Sequence, residues 1–168
     1  MKLSSKFFCI AYIVVLLSMG LGGTFIIKNI SDTLWNTQTE RANIAVNYAA
    51  ESFLAFTDVT SGEITSAQKN DIIRQIKAFL DNTVTNVEIY TSQTAENEYS
   101  ELKENQIVSQ FIKNNDLLLM KSVCKLNTDI GTYFLVVYSD FTEIQRQCDF
   151  FWSSYGISVF FVSSFSGL

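Results

Sequence analysis

The chain contains no histidine and no proline among its 168 residues. Without an imidazole it holds no histidine-based triad, no histidine metal ligand and no phospho-accepting histidine. Cysteine is scarce. Cys9, Cys124 and Cys148 are scattered, and no pair has metal-site spacing. Cys124 and Cys148 would pair as a disulfide only in an oxidising compartment; otherwise each reads as a small buried apolar side chain. No glycine-rich phosphate loop and no Gly-x-Ser-x-Gly elbow appears. Acids such as Glu96 and Glu98 read as loop charges, not as a catalytic pair. No catalytic, metal or cofactor-binding residue is therefore assigned, and no cofactor is implied. A binding pocket on the sheet would lie near Tyr90, Tyr133 or Tyr138, although all three read first as core aromatics.

Charge is also missing, but only from particular stretches. Phe7 to Ile27 holds 21 residues without one charge. As a helix rising about 1.5 Å per residue, it covers roughly the 30 Å hydrocarbon core of a bilayer. A cleaved signal peptide has a shorter apolar core, about 7 to 15 residues, and a small-residue cleavage site. Here Phe25, Ile26 and Ile27 resume the apolar run after Gly20, Gly22 and Gly23, so an uncleaved anchor is expected. Lys2, Lys6 and the amino terminus precede it, Lys28 and then Asp32 follow, and that basic excess at the front places the amino end in the cytoplasm and the following chain outside. Residues 150–168 are likewise uncharged, though six serines and two glycines dilute that run. It is expected to be a second span, with Trp152 and Tyr155 at the outer interface. No basic residue follows it, which suggests a piece of a longer gene product.

Between these ends the chain is acidic. Residues 29–149 carry 9 Lys and Arg against 17 Asp and Glu, a net of −8. That balance argues against nucleic acid as a partner, because phosphate contacts need basic side chains. The expected organisation is residues 1–28 as cytoplasmic end and first span, 29–148 as extracytoplasmic domain and 149–168 as second span. The expected fold class is α+β.

After the anchor, Trp35, Ala42, Val46, Ala49, Phe53 and Phe56 make one helical stripe. It fits a stalk pairing with its twin in a homodimer, or a helix packing on its own domain. Thr57 to Gly62 interrupts the pattern. Thr65 and Gln68 then form a capping box, and Ile72, Ile73, Ile76, Phe79 and Leu80 give a second helix its buried face. Asp81 and Asn82 close it. Val84 to Thr91 reads as a strand. Thr91 to Asn105 is a polar loop with Glu96, Glu98, Glu101 and Glu104, and Ile107 to Ile112 is apolar but of uncertain type. Asn114, Asn115 and Asp116 mark a turn. Leu117 to Leu126 and Thr132 to Tyr138 are a strand pair about a turn at Asn127 to Gly131. In the first, Leu118, Met120, Ser122, Cys124 and Leu126 share a face. In the second, Tyr133, Leu135 and Val137 share one face and Phe134, Val136 and Tyr138 the other. A strand apolar on both faces belongs at the centre of a sheet, with helices over one face. Asp140 and Glu143 then restart a helix, with Ile144, Cys148, Phe151 or Trp152, and Tyr155 on one side.

Two runs carry a resemblance. One is Glu40-Arg41-Ala42, about a dozen residues after the anchor. The other is Gly131-Thr132-Tyr133-Phe134-Leu135-Val136-Val137-Tyr138-Ser139-Asp140-Phe141-Thr142-Glu143-Ile144, a last strand feeding the return helix. Together with the order of parts, they resemble the N-terminal sensor half of membrane-bound two-component histidine kinases of Gram-positive bacteria. The resemblance implies a PAS-like or single-Cache-like antiparallel sheet with helices on one face, and an unknown extracellular ligand. It also implies a HAMP linker and kinase core further on, which these residues do not include. The chain as given is then not an enzyme. The input region of a chemoreceptor or of a cyclic-dinucleotide enzyme would share this architecture. A pilin-like subunit would want a processing site before Phe7 and a Glu soon after it; neither is present.

Overall fold

The computed structural model describes residues 3–60, 62–80, 84–92, 99 and 101–165. The chain is α+β. Helix α1 (Leu3–Asp58) is followed by α2 (Ser66–Phe79), by strands β1 (Val84–Thr91), β2 (Ile107–Asn114), β3 (Leu117–Thr128) and β4 (Gly131–Asp140), and by α3 (Thr142–Phe165). It divides into two compact units, Met1–Thr37 with Glu143–Leu168, and Gln38–Thr142. The expected helix end at Asp81 and Asn82, and Glu96 and Glu98, lie outside the described residues.

The second unit is built on one antiparallel sheet in the order β1-β4-β3-β2. Both hairpins turn where turn chemistry sits. Asn114 pairs with Leu117, and Asn115 takes a positive φ of 52°. Thr128 pairs with Gly131, whose φ of 141° lies in a region that disfavours any side chain. The segment of uncertain type, Ile107 to Ile112, is edge strand β2. The expected strand pair is present and longer than its apolar runs, because backbone pairing continues through Thr128 and from Gly131 to Asp140.

β4 lies inside the sheet and is apolar on both faces, as its alternation implies. On one face Tyr133, Leu135 and Val137 join Val87, Ile89, Cys124 and Leu126. Helices cover that face: Val46, Ala49, Ala50 and Phe53 from α1, and Ile72 and Ile76 from α2. Within the helical stripe, Ala42, Val46, Ala49 and Phe53 are completely buried, so this part packs on its own sheet. The Thr65–Gln68 capping box forms with both of its bonds: Gln68 N donates to Thr65 Oγ1 at 3.3 Å and Thr65 N donates to Gln68 Oε1 at 2.9 Å.

The passage from β4 into α3 takes a single residue, Phe141, which is fully buried. Phe141 N donates to Leu118 O at 2.8 Å, and Leu118 N donates to Thr142 Oγ1 at 3.0 Å. Asp140 Oδ1 accepts from Thr142 N at 2.7 Å, and Asp140 O accepts from Gln38 Nε2 of α1 at 3.0 Å. The cap expected of Asp140 and Glu143 is therefore one-sided. Asp140 fulfils its half, while the Glu143 carboxylate accepts from Gln147 instead.

The first unit holds the amino-terminal part of α1 and most of α3. From Lys6 onward α1 contains a run long and apolar enough to cross a membrane. Phe7, Phe8, Ile10, Leu17, Leu21 and Phe25 on it are all exposed. In α3, Cys148 is buried and Phe151 half-buried while Trp152 is exposed, so Phe151 is the residue that shares the inward side. Tyr155 turns its hydroxyl to α1, donating to the carbonyls of Met19, at 3.1 Å, and Gly20. All three cysteines are free thiols, so the disulfide between Cys124 and Cys148 is not formed.

Candidate ligand-binding face

The face of the sheet away from α1 and α2 has a different chemistry. Its apolar centre is small: Val123, Phe134 and Val136, with Tyr90, Tyr99, Leu102 and Tyr138 packed around them. Strand register builds it. Asn86 lies opposite Tyr138, Glu88 opposite Val136 and Tyr90 opposite Phe134, so Asn86, Glu88 and Tyr90 share this face with alternate residues of β4.

Glu88 is the hub. Its Oε2 accepts from the Tyr90 hydroxyl at 2.6 Å and from the Tyr138 hydroxyl at 3.2 Å. Its Oε1 accepts from Asn86 Nδ2 at 2.9 Å, and Asn86 Oδ1 in turn accepts from Lys77 Nζ at 2.8 Å. The Tyr90 phenol is pushed up to about 12, first by its hydrogen bond to the Glu88 carboxylate, then by burial and by the Glu88 charge. Tyr138 is raised as well, by burial first and then by Glu88. Both hydroxyls are thus held protonated as donors. Two cations lie over rings of the same face: Lys121 Nζ is 5.1 Å from the centre of Tyr99, and Lys125 Nζ is 6.0 Å from that of Phe134.

Beside this cluster runs an open groove of about 370 Å³, lined by Ser66, Lys69, Asn70 and Ile73 of α2 and by Val87, Glu88, Ile89 and Tyr90 of β1. Side chains of a strand alternate between faces, so a groove touching four successive residues follows the strand's edge. β1 is an outer strand, and its free edge carries backbone donors and acceptors. A ligand there meets an ammonium at Lys69, a carboxylate at Glu88, a phenol at Tyr90 and the outer edge of the sheet as the described residues form it. Among the described residues no group of acidic or cysteine side chains is placed to hold a metal ion.

No protein family, curated protein or solved structure matches the chain.

Of the three tyrosines marked in the sequence, the structure brings two together. Tyr90 and Tyr138 meet at Glu88. Tyr133 lies on the opposite face, 3% exposed, with its ring edge-on to Phe53 at 5.2 Å. It is a core residue. Glu88, Asn86, Lys69 and Lys121 had no sequence signal beyond polarity. Glu88 reads only as the polar alternate between Val87 and Ile89, and the residue that gives it a role, Tyr138, is fifty positions away. Cys124 is buried on the helix-covered face, and burial pushes its thiol up, away from reactivity.

Proposed function

We propose that the chain is the extracytoplasmic signal-sensing and transmembrane signalling region of a two-component histidine kinase. The sheet is read as PAS-like or single-Cache-like, and α3 as continuing into a second membrane span. The groove at the β1 edge, with Glu88 at its rim, is the ligand site. Glu88 is the observation that carries this reading: a carboxylate fixed by three side-chain donors beside an open groove is pre-organised for a small polar ligand. A small molecule bearing both a cationic and an anionic group suits a groove lined by both Glu88 and Lys69. The mechanism is differential binding. A ligand that prefers one arrangement of β1 and β4 shifts the sheet, and the sheet is hydrogen-bonded to α1 and to the start of α3 through Gln38, Asp140 and Thr142.

The test uses the full chain in lipid nanodiscs, screened by thermal unfolding against amino acids, amines and organic acids. A bound ligand at a hundred times its Kd raises stability by about 2.7 kcal/mol. The expected result is a shift that disappears in Glu88→Ala. A shift that survives in Glu88→Ala moves the site elsewhere. The kinase assignment is tested separately, by the DNA that follows the codon for Leu168: a kinase core supports it, and a coiled-coil signalling rod or a cyclase domain overturns it.

A further inference from the structure

We propose that Tyr155 and the Gly20–Gly23 turn of α1 form a register lock between the two apolar helices, so that they pivot about one point and do not slide past each other. The contact lies within the first unit. The Tyr155 ring lies against Gly23 so closely that a Cβ built there would overlap the ring, reaching 2.9 Å from Cζ and 3.0 Å from the hydroxyl oxygen. One turn back along α1, the tyrosine hydroxyl donates to the carbonyls of Gly20 and Met19. Thr24 Oγ1, which donates to Gly20 O at 2.7 Å, lies 3.3 Å from the same phenol oxygen. Ring, hydroxyl and two small-residue positions therefore fit as a key in a notch.

The notch has one seat. Sliding by one turn would bring the ring over Met19 or Ile27 in place of Gly23, and both carry bulky side chains. In this register the ring lies against Gly23 and not against the other two glycines. A Cβ at Gly20 or Gly22 meets nothing within 4 Å. In hydrocarbon a phenol has no water to turn to, so leaving the Gly20 and Met19 carbonyls strands a polar group. Small residues that admit close approach, together with an interhelical hydrogen bond, are what hold helices together where the solvent is as apolar as the side chains. It follows that a one-turn piston step between these helices is disallowed, while tilt or rotation about Tyr155 keeps the contact.

This inference rests on the second span proposed above, and the experiment separates the two. The full chain with Cys9→Ser and a C-terminal tag is placed in lipid vesicles, and the side on which the tag lies is read first by protease protection. A tag on the side of the amino end supports two spans; a tag on the opposite side overturns the second span and the lock with it. Given two spans, the pair Leu16→Cys with Val159→Cys, both beside the notch, is oxidised and compared with Tyr12→Cys with Val159→Cys, one turn away. The first pair is expected to cross-link in preference. Gly23→Leu should abolish the preference, Gly22→Leu should leave it intact, and Gly23→Leu with Tyr155→Ala should restore it in part. Tyr155→Phe, which keeps the ring, should lower it by roughly threefold. Equal cross-linking of the two pairs in the parent chain, or equal effects of Gly22→Leu and Gly23→Leu, overturns the lock. Circular dichroism of each variant shows whether the sheet domain is intact, so that a loss of preference with a folded domain counts for the lock and one with an unfolded domain is replaced by the Tyr155→Phe result.

Discussion

The two faces of one sheet come from alternate residues of the same strands, yet they are held together differently. On the helix-covered face Leu135, Val137, Leu126 and Val87 are almost fully buried against Phe53, Val46 and Ile76. On the other face Val136 and Phe134 are buried, but their neighbours Tyr90, Tyr138 and Glu88 are tied by hydrogen bonds and stay partly open. The first face supplies stability through apolar area removed from water, and its tolerance for change is low. The second places charge and hydroxyls with defined geometry at modest energetic return, the pattern expected where a surface serves recognition.

The comparison breaks first on the helix-covered face. Phe53→Ala removes a ring that meets Tyr133 and leaves a cavity, and should cost about 3 to 5 kcal/mol in denaturant unfolding of the full chain. A cost below that of Tyr90→Phe would refute the division between the faces. Next in size is Gly131→Val. There is room for a Cβ, since the nearest atom is 3.8 Å away, but the φ of 141° strains any side chain. A loss of about 1 to 3 kcal/mol is expected, read from the same unfolding curves. Thr65→Ala removes the capping hydroxyl of α2 and should cost about 1 kcal/mol, visible as a small drop in the unfolding midpoint.

The second face should respond little in stability and clearly in titration. Glu88→Gln is expected to cost on the order of 1 kcal/mol or less, yet to lower the Tyr90 transition from about 12 toward its ordinary 10. Ultraviolet absorbance of tyrosinate follows it, and an unchanged titration would remove Glu88 from its place as hub. The sign of the pH effect is fixed by the protonated phenol. Because folding raises the Tyr90 value, its contribution is complete below pH 10 and is lost as pH rises through about 12. The parent chain should therefore weaken over that window more than Tyr90→Phe does.

What could be read from the sequence was local. The capping box at Thr65 needs only Gln68, three residues on. The β3–β4 hairpin announces itself by alternation and by Gly131. The double apolar face of β4 is enough to place it inside the sheet. What could not be read depends on pairing across the chain. Alternation puts Tyr133 and Tyr138 on opposite faces, but only the packing of α1 and α2 shows that the Tyr133 face is the core. β2 was ambiguous because an edge strand such as Ile-Val-Ser-Gln-Phe-Ile is neither cleanly alternating nor continuously apolar, and β3 decides it. The seat of Tyr155 was hidden because three nearby glycines look equivalent until a second helix is laid against them.

The one-residue passage from β4 to α3 has a consequence for rotation. Phe141 is buried, and hydrogen bonds from Leu118 clasp it and Thr142 on both sides. Phe141 and Thr142 are therefore tied to the sheet at the point where α3 begins. Adding a single residue at this point would turn every later side chain of the helix by roughly 100° about its axis.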